Sequence, residues 1–159
     1  MARKGTIRPR RIAADPVYGN VMVTKLINRA MRDGKKSVAQ REVHEAMEII
    51  KEKMGDDPVK VFLQALENIK PSMEVKARRI GGAAYQVPIP VRGPRKDSLA
   101  IRWLIEVANS KSNSEFHTFA EKLATELMDA FKGEGAAVKK RQDMERVAEA
   151  NKAFSHFRW

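Results

Sequence analysis

Apolar residues in this chain repeat with a helical period, switch to a strand period near the middle, and then switch back. From Asn20 to Arg32 they pair as Met22/Val23, Leu26/Ile27 and Ala30/Met31, the spacing that gives a helix one buried face. Asp33-Gly34 stops it. Ala39, Val43, Ala46/Met47, Ile50 and Met54 carry the period through a second predicted helix from Lys36, closed by Gly55. Asp57 before Pro58 has the form of an N-cap followed by a first-turn proline. Val59, Phe62/Leu63, Leu66 and Ile69 then line one face of a third helix up to Pro71.

Between Ser72 and Arg92 the period is two. Met73, Val75 and Ala77 alternate with Glu74, Lys76 and Arg78, and Tyr85, Val87, Ile89 and Val91 alternate with Gln86, Pro88 and Pro90. Gly81-Gly82 lies between the runs, which predicts a hairpin over 72–92 with its turn at the glycines. In this reading Arg78 and Arg79 turn away from the apolar face of Val75 and Ala77 or sit at the turn. Pro88 and Pro90, two residues apart, remove amide donors from the same side of a strand, so a two-stranded ribbon with a free edge is expected.

The helical period returns with Leu99/Ala100, Trp103/Leu104 and Val107, and again with Phe116, Phe119/Ala120, Leu123, Leu127 and Ala130/Phe131. Ser114 is the expected cap between these two helices, and Gly133 and Gly135 end the second. From Ala136 to about Phe154 the apolar stripe is thin (Val138, Met144, Val147/Ala148, Phe154), which predicts a surface helix. The expected fold class is mainly α. It is a single domain, 1–159, of about six helices with a protruding two-stranded β-hairpin between helices three and four. A basic N-terminal arm (1–14) precedes it, and a C-terminal helix and tail (136–159) closes it.

Charge adds a function class to this fold. The formal net charge is +11, which favours a polyanionic partner, nucleic acid before an anionic membrane surface. Residues 1–11 hold five basic groups and no acid, and residues 70–96 hold seven against Glu74 alone. Those two segments account for the whole excess, so the charge is segregated rather than spread for solubility. The start could also be an organellar transit peptide, but Gly5, Pro9 and the absence of serine before Ser37 favour an arm. No run of roughly 18 apolar residues occurs, so no membrane span is expected. The chain has no cysteine, which excludes disulfides and thiolate metal sites.

Little in the sequence suggests catalysis or a cofactor. His44, His117 and His156 are isolated, and no zinc-protease, phosphate-loop or nucleophile-elbow spacing is present. Glu42, Glu45, Glu48 and Glu52 stand at helical spacing among basic residues and read as a solvated face.

The candidate contacts are basic. Lys76, Arg78 and Arg79 alternate with small residues beside Gly81 and Gly82, where backbone can approach a phosphate chain and arginine can donate to its oxygens. The competing reading is an edge strand protected from aggregation by its charge. Lys35 and Lys36 enter the second helix, and Lys139, Lys140 and Arg141 enter the last. Cations there oppose the helix dipole and call for an anion. Tyr85 and Trp159 are candidate stacking groups. The C-terminal aromatics Phe154, His156, Phe157 and Trp159 can stack on unpaired bases or pack back onto the body, the second being favoured. A DNA-architectural protein with a basic ribbon is the alternative, but such ribbons carry an apolar wedge at the tip, where this chain has glycines.

These blocks resemble, in order, those of bacterial small-subunit ribosomal protein seven. The resemblance runs from Asp15-Pro16 and Gly19 through Asn28, Met31 and Asp33-Gly34-Lys35-Lys36-Ser37, then Ala65-Leu66-Glu67-Asn68. Its most specific words are Arg78-Arg79-Ile80-Gly81-Gly82 and Tyr85-Gln86-Val87-Pro88. Ala100, Arg102-Trp103, Gly135, Ala137-Val138-Lys139-Lys140-Arg141 and Ala148 to Phe154 follow, ending at Arg158-Trp159. The first dozen residues, Ile89 to Gly93 and Ser110 to His117 depart from the family pattern.

The resemblance implies a cytoplasmic, ribosomal protein with no enzymatic activity. It would bind the 3′ major domain of 16S rRNA, start assembly of the subunit head and lie near the E site. Small-subunit proteins nine and eleven would be its neighbours, with no membrane partner. Arg78, Arg79, Gly81 and Gly82 would approach rRNA and the tRNA and mRNA path. Lys35, Lys36, Lys76, Arg92, Arg95, Lys96, Arg102, Lys139, Lys140 and Arg141 would face rRNA, together with Arg3, Lys4, Arg8, Arg10 and Arg11 of the arm.

Overall fold

The structure is a computed structural model that describes residues 11–158. Three helices come first: α1 (Val21–Ala30), α2 (Lys36–Met54) and α3 (Pro58–Ile69). A hairpin of β1 (Met73–Ile80) and β2 (Ala83–Pro90) follows, then α4 (Pro94–Ser110), α5 (Phe119–Phe131), α6 (Ala136–Ala150) and a 3-10 helix at Lys152–Phe157. Asn20 caps α1 by accepting the Met22 amide at 2.7 Å. Asp57 does the same for Val59 at the start of α3, with Pro58 in its first turn. The expected stops hold as well, since Gly55 ends α2 at φ +72°, a backbone region open to glycine.

α5 is the central helix and packs against α2, α3 and α4. Met47 and Ile50 of α2, Phe62, Leu66 and Ile69 of α3, Leu104 of α4, and Leu123 and Leu127 of α5 are fully buried there. Burying such side chains contributes ~1.5–3 kcal/mol each. Polar pins join the same helices. Asn68 of α3 donates to the Ala130 and Phe131 carbonyls at 2.9 and 3.1 Å, tying α3 to the last turn of α5. Asp97 in the first turn of α4 receives Lys25 of α1 and Lys70 after α3, at 3.5 and 3.0 Å. Burial lowers the Lys70 ammonium, but Glu67 and Asp97 outweigh it and hold it above the ordinary lysine value.

Several boundaries differ from expectation. The cap before α5 is Thr118, not Ser114: Thr118 accepts from the Glu121 amide while Glu121 reaches back to the Thr118 amide. Such a reciprocal box outcompetes a lone serine, and Ser114 bonds to Ser112 in the preceding turn. α4 begins at Pro94, five residues before its first apolar pair, because Gly93 at φ +54° turns the chain and proline fits the first helical turn. α6 ends at Ala150 rather than near Phe154, and the chain tightens there into the 3-10 helix.

Candidate nucleic-acid interface

The ribbon pairs Met73 with Pro90 through Ile80 with Ala83. Gly81 and Gly82, at φ +59° and +90°, form a two-residue turn of the kind in which both residues need positive φ. The described residues contain no third strand beside β2, so the amides missing at Pro88 and Pro90 leave no ladder unfilled. Eight extended residues span about 26 Å at roughly 3.3 Å each. Because paired residues share a face, Arg78 stands with Tyr85 and Lys76 with Val87, while Arg79 stands with Ala84 on the face of Val75 and Ala77. This corrects the expectation for Arg79: the two arginines serve opposite faces of the ribbon. Arg79 is exposed and Arg78 half-buried.

Two carboxylates hold the ribbon's base. Glu74, 7% exposed, accepts from Arg95 Nε at 2.9 and 2.8 Å, and the Arg95 terminal nitrogen lies 2.6 Å away. Burial pushes the Glu74 carboxyl up, but Arg95 and then Lys76 at 3.5 Å bring it below the ordinary value. Glu145 of α6 accepts the Ser72 amide and hydroxyl at 3.1 and 2.7 Å. It too is lowered, burial being outweighed by Ser72 and Arg141. Arg95 therefore fixes the ribbon to α4, a task its sequence position did not show.

The start of α6 carries its own anion. Glu126 of α5, 1% exposed, accepts the Ala137 amide at 2.8 Å and pairs with Lys111 at 3.1 Å. The three cations beside this helix start therefore differ in role. Lys140 pairs with Glu106 of α4 at 2.9 Å, Arg141 lies 3.9 Å from Glu145, and Lys139 remains exposed with no ion-pair partner among the described residues. α2 is the contrasting case. No side chain caps it, Lys35 and Lys36 at its start are exposed, and neither has an ion-pair partner among the described residues.

Arg29 in the last turn of α1 and Arg32 just beyond it are both exposed and extend this basic surface, and the sequence reading missed both. A groove of about 320 Å³ runs between Lys25, Asn28 and Arg29 of α1 and Pro94, Ser98 and Ile101 of α4. A second groove is lined by Arg32, Lys35, Val38 and Asn109. Arg102 is exposed on α4 between Ser98 and Asn109. The signal lay in the spacing, since Lys25 and Asn28/Arg29 occupy the polar positions between the apolar pairs of α1 and Arg32 follows the last pair.

Arg11 and Arg92 are exposed, and Lys96 is half-buried. Arg3, Lys4, Arg8, Arg10 and Trp159 lie outside the described residues. Tyr85 packs against Phe154 and Phe157, ring centroids 5.1 and 5.6 Å apart, so part of the ring expected to stack on bases is taken by the chain's own C-terminus. Among the described residues no cluster of His, Cys, Asp and Glu could hold a metal ion, and no helix is long and apolar enough to cross a membrane.

A basic ribbon on a helical body is a shape with more than one owner, and comparison with known proteins decides among them. The family model described as ribosomal protein S7p/S5e matches residues 2–152. The chain belongs to that family. Proteins named small ribosomal subunit protein uS7 match over the full length of both chains: 57% identity in Moorella thermoacetica, 52% in Thermus thermophilus and 51% in Desulfovibrio desulfuricans. The words on which the resemblance most depends, Arg78-Arg79-Ile80-Gly81-Gly82 and Tyr85-Gln86-Val87-Pro88, lie in the strands and turn of the ribbon.

Proposed function

We propose that the chain is a non-enzymatic structural constituent of the small ribosomal subunit that binds the 3′ major domain of 16S rRNA and nucleates assembly of the head. The observation that carries this reading is the division of the cations. Those on the body's ion-pair joints, Lys25, Lys70, Lys111 and Lys140, are met by carboxylates. Arg29, Arg32, Lys35, Lys36, Arg79, Arg92, Arg102 and Lys139 have no ion-pair partner among the described residues. Exposed cations without internal partners are suited to a polyphosphate surface, which they bind with release of counterions.

In this reading the grooves beside α1 and α4 take the rRNA backbone, and the arm up to Arg11 adds further contacts. The ribbon extends toward the E-site tRNA and mRNA path, where its glycine turn admits close backbone approach. Small-subunit proteins nine and eleven are its expected neighbours, and the cytoplasmic ribosome its location. Hydroxyl-radical footprinting of the chain on a 3′ major domain transcript, beside a 5′ domain transcript of equal length, tests the proposal. Discrete protection confined to the 3′ domain supports it; equal protection of both transcripts rejects it.

A further inference from the structure

We infer that the C-terminal 3-10 helix is a strut that sets the posture of the ribbon, with Phe154 and Phe157 acting as positioning residues for the arginines near its tip. This rests on the proposed RNA interface for its functional part and on geometry alone for its mechanical part.

The base clamps at Glu74 and Glu145 act at the first residues of the hairpin, far from its turn. α6 also packs against both strands, and Val87 and Pro88 are buried, but beyond them the two-stranded ribbon would swing, because an isolated hairpin has little stiffness of its own. The structure holds it a second time. Tyr85 lies two residues from the end of β2 nearest the turn, and its ring meets Phe154 and Phe157, which stack on each other at an interplanar angle of 13°. Tyr85 is also the cross-strand partner of Arg78. The contact therefore braces the face of the ribbon that carries Arg78 and leaves only the turn and its flanking residues, Arg79 among them, beyond the brace.

Bracing changes binding without adding any contact to RNA. If the unbraced ribbon spends only a fraction of its time in the binding posture, apparent affinity falls by that fraction. The number of phosphates neutralised in the bound state stays the same, and so does the salt slope. Loss of an arginine instead changes both. This difference separates a positioning residue from a contact.

The absence of cysteine in the sequence allows one to be introduced at Ala84→Cys for a nitroxide label. Its mobility and the salt-dependent affinity for a 3′ major domain transcript are read in the parent and in Phe154→Ala/Phe157→Ala. The strut requires higher label mobility, affinity lower by about tenfold, as expected for losing one or two aromatic contacts, an unchanged salt slope and unchanged cooperative unfolding. Tyr85→Phe, which keeps the ring, should behave as the parent. Unchanged mobility in the double variant overturns the strut, and raised mobility with parental affinity overturns its positioning role. Failure of the parent itself to bind RNA would reject the interface, and the mobility comparison would still decide the mechanical claim.

Discussion

Replacing Gly135 with alanine places a methyl group where the fold has no room for one. A Cβ built there meets Glu126 Oε1 at 2.9 Å and Asp129 Cβ at 3.2 Å. The backbone stands at φ +93°, ψ 163°, a region that costs an L-residue ~1–3 kcal/mol. Glu126 must also move, which loosens its hydrogen bond to the Ala137 amide at 2.8 Å. A charged hydrogen bond of this kind contributes ~1.5–3 kcal/mol, and partial loss brings the expected cost of Gly135→Ala to ~2–5 kcal/mol. Gly133→Ala is the control. Its φ is +83°, but nothing lies within 4 Å of its Cβ position, so only a conformational cost of ~1–2 kcal/mol applies. Urea unfolding followed by far-ultraviolet circular dichroism measures both, with an unchanged m-value as the sign that the folded and unfolded states are otherwise alike. Equal costs at the two positions would refute the idea that Glu126 anchors the start of α6.

Leu66→Ala, at a fully buried position of α3, should cost ~2–5 kcal/mol in the same assay. Acid should destabilise the fold through Asp15, Glu74 and Glu145. Burial would raise the Asp15 carboxyl, but the Tyr18 amide, His44 and the Val17 amide together hold it below the ordinary range, as partners do for the other two. A lowered folded value means that the stabilisation is complete above the unfolded carboxylate range near ~4 and is lost as pH falls through the folded values. A variant with Asp15→Asn, Glu74→Gln and Glu145→Gln should be less stable at neutral pH and show a flatter acid limb in thermal unfolding. A parental acid limb would show that the pH dependence comes from other groups.

What the sequence made legible was local. Asn20, Asp57-Pro58 and Gly55 announce helix ends through contacts within a few residues, and the two-residue period with Gly81-Gly82 announces the ribbon. The box at Thr118 and Glu121 is local too, but Phe116 extends the apolar period a turn beyond the helix and masks it. Other features depend on distant pairing. Arg95 reads as one more cation until Glu74, 21 residues earlier, is folded onto it. Lys140 is likewise taken by Glu106, and the anion sought at the start of α6 is Glu126. A list of basic residues therefore does not show that Arg95 and Lys140 also join parts of the fold. It also leaves out Arg29 and Arg32, which line the grooves beside α1 and α4.

The salt dependence of binding to a 3′ major domain transcript probes the phosphate-contacting surface itself, with Arg78→Ala/Arg79→Ala measured beside the parent. With about eight phosphate contacts the log–log slope of affinity against salt should be roughly −6 to −7. The double variant should fold as the parent, bind ~1–3 kcal/mol more weakly, and show a slope shallower by ~1–2. A parental slope near zero, or a double variant indistinguishable from the parent in both affinity and slope, would contradict the interface proposed for this ribbon and body.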